Sequence, residues 1–270
     1  MKWRETLKNQ KGNTAMSNAI NIFMTDTETA GEIMKALVYD FGGGKTTLRD
    51  GELSDTMNYV NYNVFYEKKD MMESAYYASK LPAYRDEIWD GEREVFDIME
   101  IRERVHKYFK ENNISVVCAH NARFDIRALN NSVREATGGK VKYFFPYGVE
   151  VWDTLKMARQ VLGNMPTYRK FCETNGFMTK HSVPRPRYTA EVIYRFITKN
   201  VNFEEAHTGL RDVEIETEIL AYLVKQHKKM DKVLYHAPNK AWYFYYGYVK
   251  RRAGQQLYIL LTWLFSNVGV

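Results

Sequence analysis

Three short clusters hold the residues best able to do chemistry: Asp26-Thr27-Glu28-Thr29, His120-Asn121-Ala122-Arg123-Phe124-Asp125 and His207-Thr208-Gly209-Leu210-Arg211-Asp212. In a chain with 33 acids, an isolated D-x-E pair reads most simply as two solvated carboxylates at a strand end. Position argues against that reading. Ile20, Ile22 and Met24 alternate with Asn21, Phe23 and Thr25, the period of a strand, and Asp26 and Glu28 continue the same apolar face. Asp125 falls in the first turn of a helix, where the macrodipole favours an anion, and Leu129 and Val133 follow at i+4 and i+8 on the inward stripe. Asp212 is likewise followed by Ile215, Ile219 and Leu223 on one helical face, whereas Glu214 and Glu218 point to solvent. Four inward carboxylates cannot all stay ionised without partners. One or two divalent cations resolve the repulsion, and oxygen ligands suit Mg²⁺ or Mn²⁺. His207 precedes Asp212 by about 140° of helix, which places it in the loop or first turn, reaching across the metals in a position that suits a general base.

The elements that must bring these clusters together are legible from period and punctuation. Ile20–Thr25, Ile33–Phe41 and Tyr59–Tyr66 read as three strands, the second closed by a turn at Gly42-Gly43-Gly44, and their short separations predict an antiparallel meander. A helix over about Glu92–Asn112 and a short strand over Ser115–Ala119 follow. Next come a helix from Phe124, a strand at Val149–Trp152, and helices over Thr154–Leu162, Pro166–Thr174, Ala190–Thr198 and His207–Lys228. A meander followed by strand-helix alternation predicts an α/β fold with a mixed sheet and helices on its faces.

Composition narrows the classes. With 270 residues, 45% apolar and 27% charged, the chain is globular rather than disordered, fibrous or membrane-embedded. Cys118 and Cys172 are too few for a disulfide scaffold, which predicts a reducing, cytoplasmic setting. Met1 to Ser17 has no apolar stretch suited to a signal, and Leu257–Phe265 is far shorter than the ~20 residues of a membrane span. The net charge of +6 is a property of the C-terminal part. Lys225 to Val270 holds eight basic residues and one acid, a net +7, leaving the rest at −1.

The order D-T-E-T, H-N-A-x-F-D, H-x-x-x-x-D resembles the three motifs of the DEDDh, or DnaQ-like, 3′-to-5′ exonucleases, over roughly Asn18 to Lys225. Trp152-Asp153-Thr154-Leu155 with Ala158-Arg159 is similar to the family's D-T-L segment, and Phe203-Glu204-Glu205-Ala206-His207 to its approach to the third motif. Gly209 departs from the pattern, standing where many members have Ala. The resemblance implies a ribonuclease-H-like mixed sheet, antiparallel meander then parallel strands, flanked by helices. It implies a domain over 19–225, between a polar N-terminal extension (1–18) and a basic, aromatic C-terminal tail (226–270). It implies two Mg²⁺ or Mn²⁺ ions. Asp26, Glu28 and Asp212 would hold the ion that activates water, Asp26 and Asp125 the ion on the leaving 3′-oxygen, and His207 would take the water's proton. Thr27, Thr29, Asn121 and Phe124 would contact the 3′-terminal nucleotide, and the product would be a nucleoside 5′-monophosphate.

The implied substrates are single-stranded 3′ ends, DNA being preferred although no motif excludes RNA. The single-domain form resembles stand-alone bacterial or phage members. An RNA exonuclease like oligoribonuclease or ribonuclease T is one alternative, and a weakly catalytic nucleic-acid-binding module attached to a polymerase is another. Oligomeric state is left open. His120 suits a structural hydrogen-bonding role better than a catalytic one. The stretch Met71–Trp89 mixes Tyr76, Tyr77, Tyr84 and Trp89 with Lys80 and Arg85, which fits either base stacking or an ordinary amphipathic lid. Lys180, His181, Arg185 and Arg187 could guide phosphates or sit in a solvated connection. The tail, with Trp242, Tyr243, Phe244, Tyr245, Tyr246 and Tyr248, fits a nucleic-acid path, a patch for a polymerase, another protein or a membrane surface, or a strand and helix completing the core.

Overall fold

A central strand carries its apolar face directly into two carboxylates. The computed structural model describes residues 20–48, 50–74 and 78–236. Strand β1 (Asn21–Ala30) pairs antiparallel with β2 (Leu37–Thr47), which pairs antiparallel with β3 (Ser54–Asn61). Two short helices, α1 (Tyr62–Phe65) and α2 (Lys69–Glu73), lead through a 3₁₀ turn at Ala78–Lys80 to α3 (Leu81–Trp89) and the edge strand β4 (Glu94–Phe96), parallel to β3. The rest alternates: α4 (Ile98–Glu111), β5 (Val116–Ala119), α5 (Arg123–Ala136), β6 (Glu150–Asp153), α6 (Thr154–Val161), α7 (Pro166–Thr174), α8 (Ala190–Thr198), α9 (Gly209–Lys225) and β7 (Val233–Tyr235). The sheet order is β4-β3-β2-β1-β5-β6-β7, with β5 parallel to β1 and β6 parallel to β5. This is the mixed α/β sheet that the resemblance implies. Among the described residues, no helix is long and apolar enough to cross a membrane.

Each face of the sheet is covered. Phe23, Phe41 and Val117 pack on the side of α4 and α5 with Ile101, Val105, Leu129 and Val133. Ile22, Met24 and Cys118 pack on the other side with Met157, Val161, Ile193, Val213 and Ile219 from α6, α8 and α9. Ile22 and Met24 are fully buried, each contributing ~1.5–3 kcal/mol of hydrophobic stabilisation, and this fixes which way Asp26 and Glu28 face. A one-residue slip in β1 would turn both acids to the opposite layer. Cys118 and Cys172 are buried and unpaired with each other.

Several element boundaries differ from those the sequence predicts. The Gly42-Gly43-Gly44 run is strand, with Gly42 opposite Asp26, Gly43 opposite Thr25 and Gly44 opposite Met24. Glycine is required there for close approach and not for a turn: a Cβ on Gly42 would collide with the Gly209–Leu210 backbone, and one on Gly43 with the Phe23 ring. β2 begins at Leu37, so Ile33 and Met34 lie in the preceding turn, 70% and 68% exposed. β3 ends at Asn61, whose side chain caps α1 by accepting the Asn63 N–H, so Tyr62–Tyr66 is not strand. The helix predicted from Glu92 starts at Ile98. Asp97 caps it by accepting the Met99 and Glu100 N–H groups at 2.8 and 2.9 Å, and Glu94–Phe96 pairs with β3 instead. Helix α9 starts at Gly209, leaving His207 in the loop. Of the predicted tail, Val233–Tyr235 forms the edge strand antiparallel to β6. Its aromatic run, Leu257–Phe265, the N-terminal extension, Tyr76 and Tyr77 lie outside the described residues.

Candidate active site

The parallel pairing of β1 with β5, Ile22 beside Val116 and Met24 beside Cys118, brings the carboxyl ends of the two strands together. In open α/β sheets that is where ligands bind. Asp26 and Glu28 project there from β1. Asp125 arrives from α5, where the Thr27 hydroxyl donates to its Oδ1 at 2.9 Å. Asp212 arrives from the first turn of α9, which can lie on β2 because neither Gly42 nor Gly209 carries a side chain. A Cβ on Gly209 would fall 2.6 Å from the Gly42 nitrogen. Gly209, the departure from the family pattern, is therefore required by this packing.

Glu28, His207 and Asp212 each offer a ligand atom, all within 4.8 Å of one another. Glu28, Asp125 and Asp212 are buried at 8%, 2% and 5% exposure, whereas Asp26 and His207 are partly open. All five line one cavity of about 1200 Å³, together with Thr27, Asn121 and Phe124. Thr29 does not line it. Thr27 is also buried, with its hydroxyl committed to Asp125, so it orients that acid. Asn121 and His207 adopt left-handed backbone, φ 67° and 53°, a strained conformation for non-glycine residues that often marks functional sites.

The electrostatics are those of acids crowded without cations. Burial first, and then Asp125, pushes Asp26 well above the usual carboxylate range. Burial followed by Asp212 pushes Glu28 up to about 9. Burial raises Asp125 to about 7 against the opposing Thr27 hydrogen bond, and burial followed by Glu205 raises Asp212 to about 8. Burial and the nearby Lys80 charge lower His207, keeping its ring neutral and able to accept a proton. The Asp212 Oδ1 is buried with no hydrogen-bond partner among the described residues. Leaving such an acceptor unmet costs ~1–3 kcal/mol, which a divalent cation would relieve. The residues present therefore fit a site for hard cations.

Other features are structural. Both ring nitrogens of His120 are occupied, Nδ1 with Thr154 Oγ1 at 2.9 Å and Nε2 with the Tyr188 carbonyl at 2.7 Å, as a structural role requires. Asp153 caps α6 and accepts the Asn121 N–H at 3.1 Å, joining β6 to the second motif. Tyr84 is buried with its hydroxyl donating to Asp40 at 2.7 Å, so it is not a stacking platform. Trp89 is 89% exposed and lies outside the cavity lining.

Glu216 is a further buried acid that the motif reading passes over. It accepts the His120 N–H at 3.0 Å and lines the cavity, and burial with Asp125 nearby raises it well above the usual range. Its signal is present in the sequence, since it follows Asp212 by four residues on the same helical face. Glu205, also lining the cavity, is raised to about 7 by burial and then Glu191. No sequence signal marks Asp40 and Arg93, which meet in a buried ion pair beside the site.

The sequence matches no protein-family model, and no curated protein matches it. Several solved structures are similar to the chain in part. One is the nuclease domain of 3′hExo, described as a DEDDh family member, bound to rAMP. It has 12% identity and a TM-score of 0.49, over 82% of this chain and 100% of that one. Another is exonuclease X in complex with 5′ overhanging duplex DNA, with 15% identity and a TM-score of 0.43, over 78% and 96%. A third is E. coli exonuclease I with a dA16 oligonucleotide, with 16% identity and a TM-score of 0.45, over 77% of this chain and 41% of that one. At such identities the likeness concerns the path of the chain alone.

Proposed function

We propose that this protein is a divalent-cation-dependent 3′-to-5′ exonuclease that releases nucleoside 5′-monophosphates from single-stranded ends. The observation that carries the reading is the convergence of Asp26, Glu28, Asp125, Asp212 and His207 on one cavity, with a buried Asp212 oxygen that has no hydrogen-bond partner among the described residues. Asp26, Glu28, Asp125 and Asp212 would hold Mg²⁺ or Mn²⁺. Bound there, the cations supply Lewis-acid stabilisation of charge on the attacking and departing oxygens.

The chain's own residues do the rest. His207, neutral at physiological pH, accepts the proton of the attacking water as the new P–O bond forms and the P–O3′ bond breaks. The departing 3′-oxygen leaves with a proton from solvent. Thr27 fixes the Asp125 carboxylate through its hydroxyl. Phe124, half-buried at the cavity wall, offers an apolar face to the terminal base, and the exposed Asn121 offers an amide.

The deciding experiment incubates a 3′-labelled oligonucleotide with the protein in Mn²⁺, with and without EDTA. EDTA-sensitive release of labelled mononucleotide is expected. Retarded but intact oligonucleotide would overturn the reading in favour of a binding module. DNA and RNA oligomers run side by side determine the sugar preference, which rests on contacts to the 2′ position.

A further inference from the structure

The cavity is lined by basic as well as acidic side chains. Lining the same cavity as the acids are Arg159 of α6 and, from the segment 177–187, Arg185 and Arg187. That segment is held by its backbone: the Arg187 N–H donates to the Phe177 carbonyl at 2.9 Å, the Thr179 N–H to the Arg185 carbonyl at 2.8 Å, and the Arg185 N–H to Thr179 Oγ1 at 3.0 Å. Pro186 between them is buried and bridges to Met178, so the two arginines, two residues apart on extended backbone, face the same way. The three arginines are exposed, and among the described residues no carboxylate lies within 4 Å of any of them. The neighbouring Arg169, by contrast, is paired with Glu173 at 2.9 Å.

The basic wall is continuous with the acidic one. Tyr188, next to Arg187, accepts a hydrogen bond on its carbonyl from His120, whose own N–H is bonded to Glu216. Arg159 is close enough for its charge to be felt at both His120 and Tyr188. At about 1200 Å³ the cavity exceeds the ~300–1,000 Å³ typical of small-ligand sites, leaving room for more than one nucleotide.

We propose that Arg159, Arg185 and Arg187 form a track for the body of a single-stranded polynucleotide, gripping phosphates on the 5′ side of the one presented to the acids. This rests on the exonuclease reading of the site. It makes the protein a reader of strand length: a chain with several phosphates engages both walls, whereas a single nucleotide ester engages only the acidic one. The guanidinium groups contribute through charge and hydrogen bonds to phosphate oxygens, without base selectivity.

The test compares the full-length protein with the variant Arg159→Ser/Arg185→Ser/Arg187→Ser, whose exposed positions leave the core intact. Two substrates are used with Mn²⁺: a dT12 oligomer and the p-nitrophenyl ester of thymidine 5′-monophosphate. The variant should lose at least tenfold more kcat/KM on dT12 than on the ester, chiefly through KM. Replacing the same three residues by Lys should restore most of it, because phosphate tracking needs the charge more than the fork. In parallel, anisotropy of labelled dT12 in Ca²⁺ should show the slope of log affinity against log salt falling by about 2, at ~0.7 for each phosphate no longer neutralised. Equal losses on both substrates, or an unchanged salt slope, would overturn the track. A wild-type protein that binds dT12 but hydrolyses neither substrate overturns the exonuclease reading instead, and the salt slope then still decides whether the arginines hold the strand.

Discussion

Glu28 and Asp40 stand directly opposite each other on β1 and β2, both buried, yet the molecule treats them in opposite ways. Asp40 is surrounded by donors: Arg93 at Oδ1, and the Tyr84 hydroxyl and the Gly209 N–H at Oδ2, at 2.7 and 2.8 Å. Burial raises its pKa, and Arg93 pulls against that rise. Glu28 feels the like charges of Asp212, Asp40 and Asp125, opposed by the charge of Lys80. The difference teaches how a buried carboxylate is to be read. One that the fold satisfies internally is part of the architecture, tying β2 to α3, to the turn before β4 and to the start of α9. One crowded by other acids waits for a cation, because leaving charge buried and unpaired costs far more than any core gains.

The largest test of this contrast is on the unsatisfied side. Asp26→Ala or Asp125→Ala should lower mononucleotide release by ~10³-fold or more, on the scale of losing transition-state charge stabilisation, with the circular-dichroism spectrum unchanged. His207→Ala should cost ~10²–10⁴-fold, the range for a general base. A rate within threefold of wild type for either acid variant would break the comparison.

On the satisfied side the loss should be in stability. Asp40→Ala removes one member of a buried ion pair and should destabilise the fold by ~3–5 kcal/mol in denaturant melts. The double replacement Asp40→Leu/Arg93→Met should recover much of that loss, since neither residue then buries an unpaired charge.

Gly209→Ala probes the contact between the two sides. Its Cβ would meet the Gly42 nitrogen at 2.6 Å, so backbone must shift, at a cost of ~1–3 kcal/mol. The shift moves His207 and Asp212 together, so kcat should fall more than KM rises.

The acid cluster also predicts a pH dependence. Glu28, Asp212 and Asp125 have folded-state pKa values raised to about 9, 8 and 7, so the folded state binds more protons than the unfolded one above the ordinary carboxylate range. Stability is therefore fully present below about pH 4 and falls as pH rises through 7 to 9. In EDTA the melting temperature should be lower at pH 8 than at pH 5.5, and Mg²⁺ or Mn²⁺ should remove that decline. A flat profile in EDTA would show that the acids repel one another far less than their burial implies.

The smallest expected effect sharpens the boundary of the cluster. Glu214 and Glu218 flank the buried Glu216 but are exposed, Glu214 pairing with Arg211 at 3.2 Å. Glu214→Ala and Glu218→Ala should each change stability by less than ~0.5 kcal/mol and leave the rate alone. Glu216→Gln, which removes charge inside the cavity, should slow release by about tenfold, near 1.4 kcal/mol.

The inward direction of the four acids was legible because it depends on local period alone. Alternation along β1 sets Asp26 and Glu28, and the i+3 and i+4 stripes on α5 and α9 set Asp125 and Asp212. The angle of His207 to Asp212 allows the loop or the first turn, and the helix start at Gly209 places it in the loop. The glycine run was misread because the same residues serve a turn and a close backbone approach, and only the partner, Gly209, distinguishes them. Tyr84 is ambiguous in the sequence for a similar reason. An aromatic among basic residues suggests a stacking surface until its hydroxyl is seen to meet Asp40, which lies 44 positions away in the chain.

By itself, then, the sequence determined that Asp26, Glu28, Asp125 and Asp212 face inward, that His207 accompanies them, and that a strand meander gives way to strand-helix alternation. These are properties of neighbours within a few residues. Only the tertiary structure decided which acids are neutralised and which are left crowded, that Gly42 and Gly209 bring the third motif onto the first, and that three arginines from α6 and the 177–187 segment line the same cavity as the acids. The physical reason is that charge balance and close contact are properties of distance in space. Asp40 and Arg93, 53 positions apart, have no way of announcing themselves in the local pattern of either.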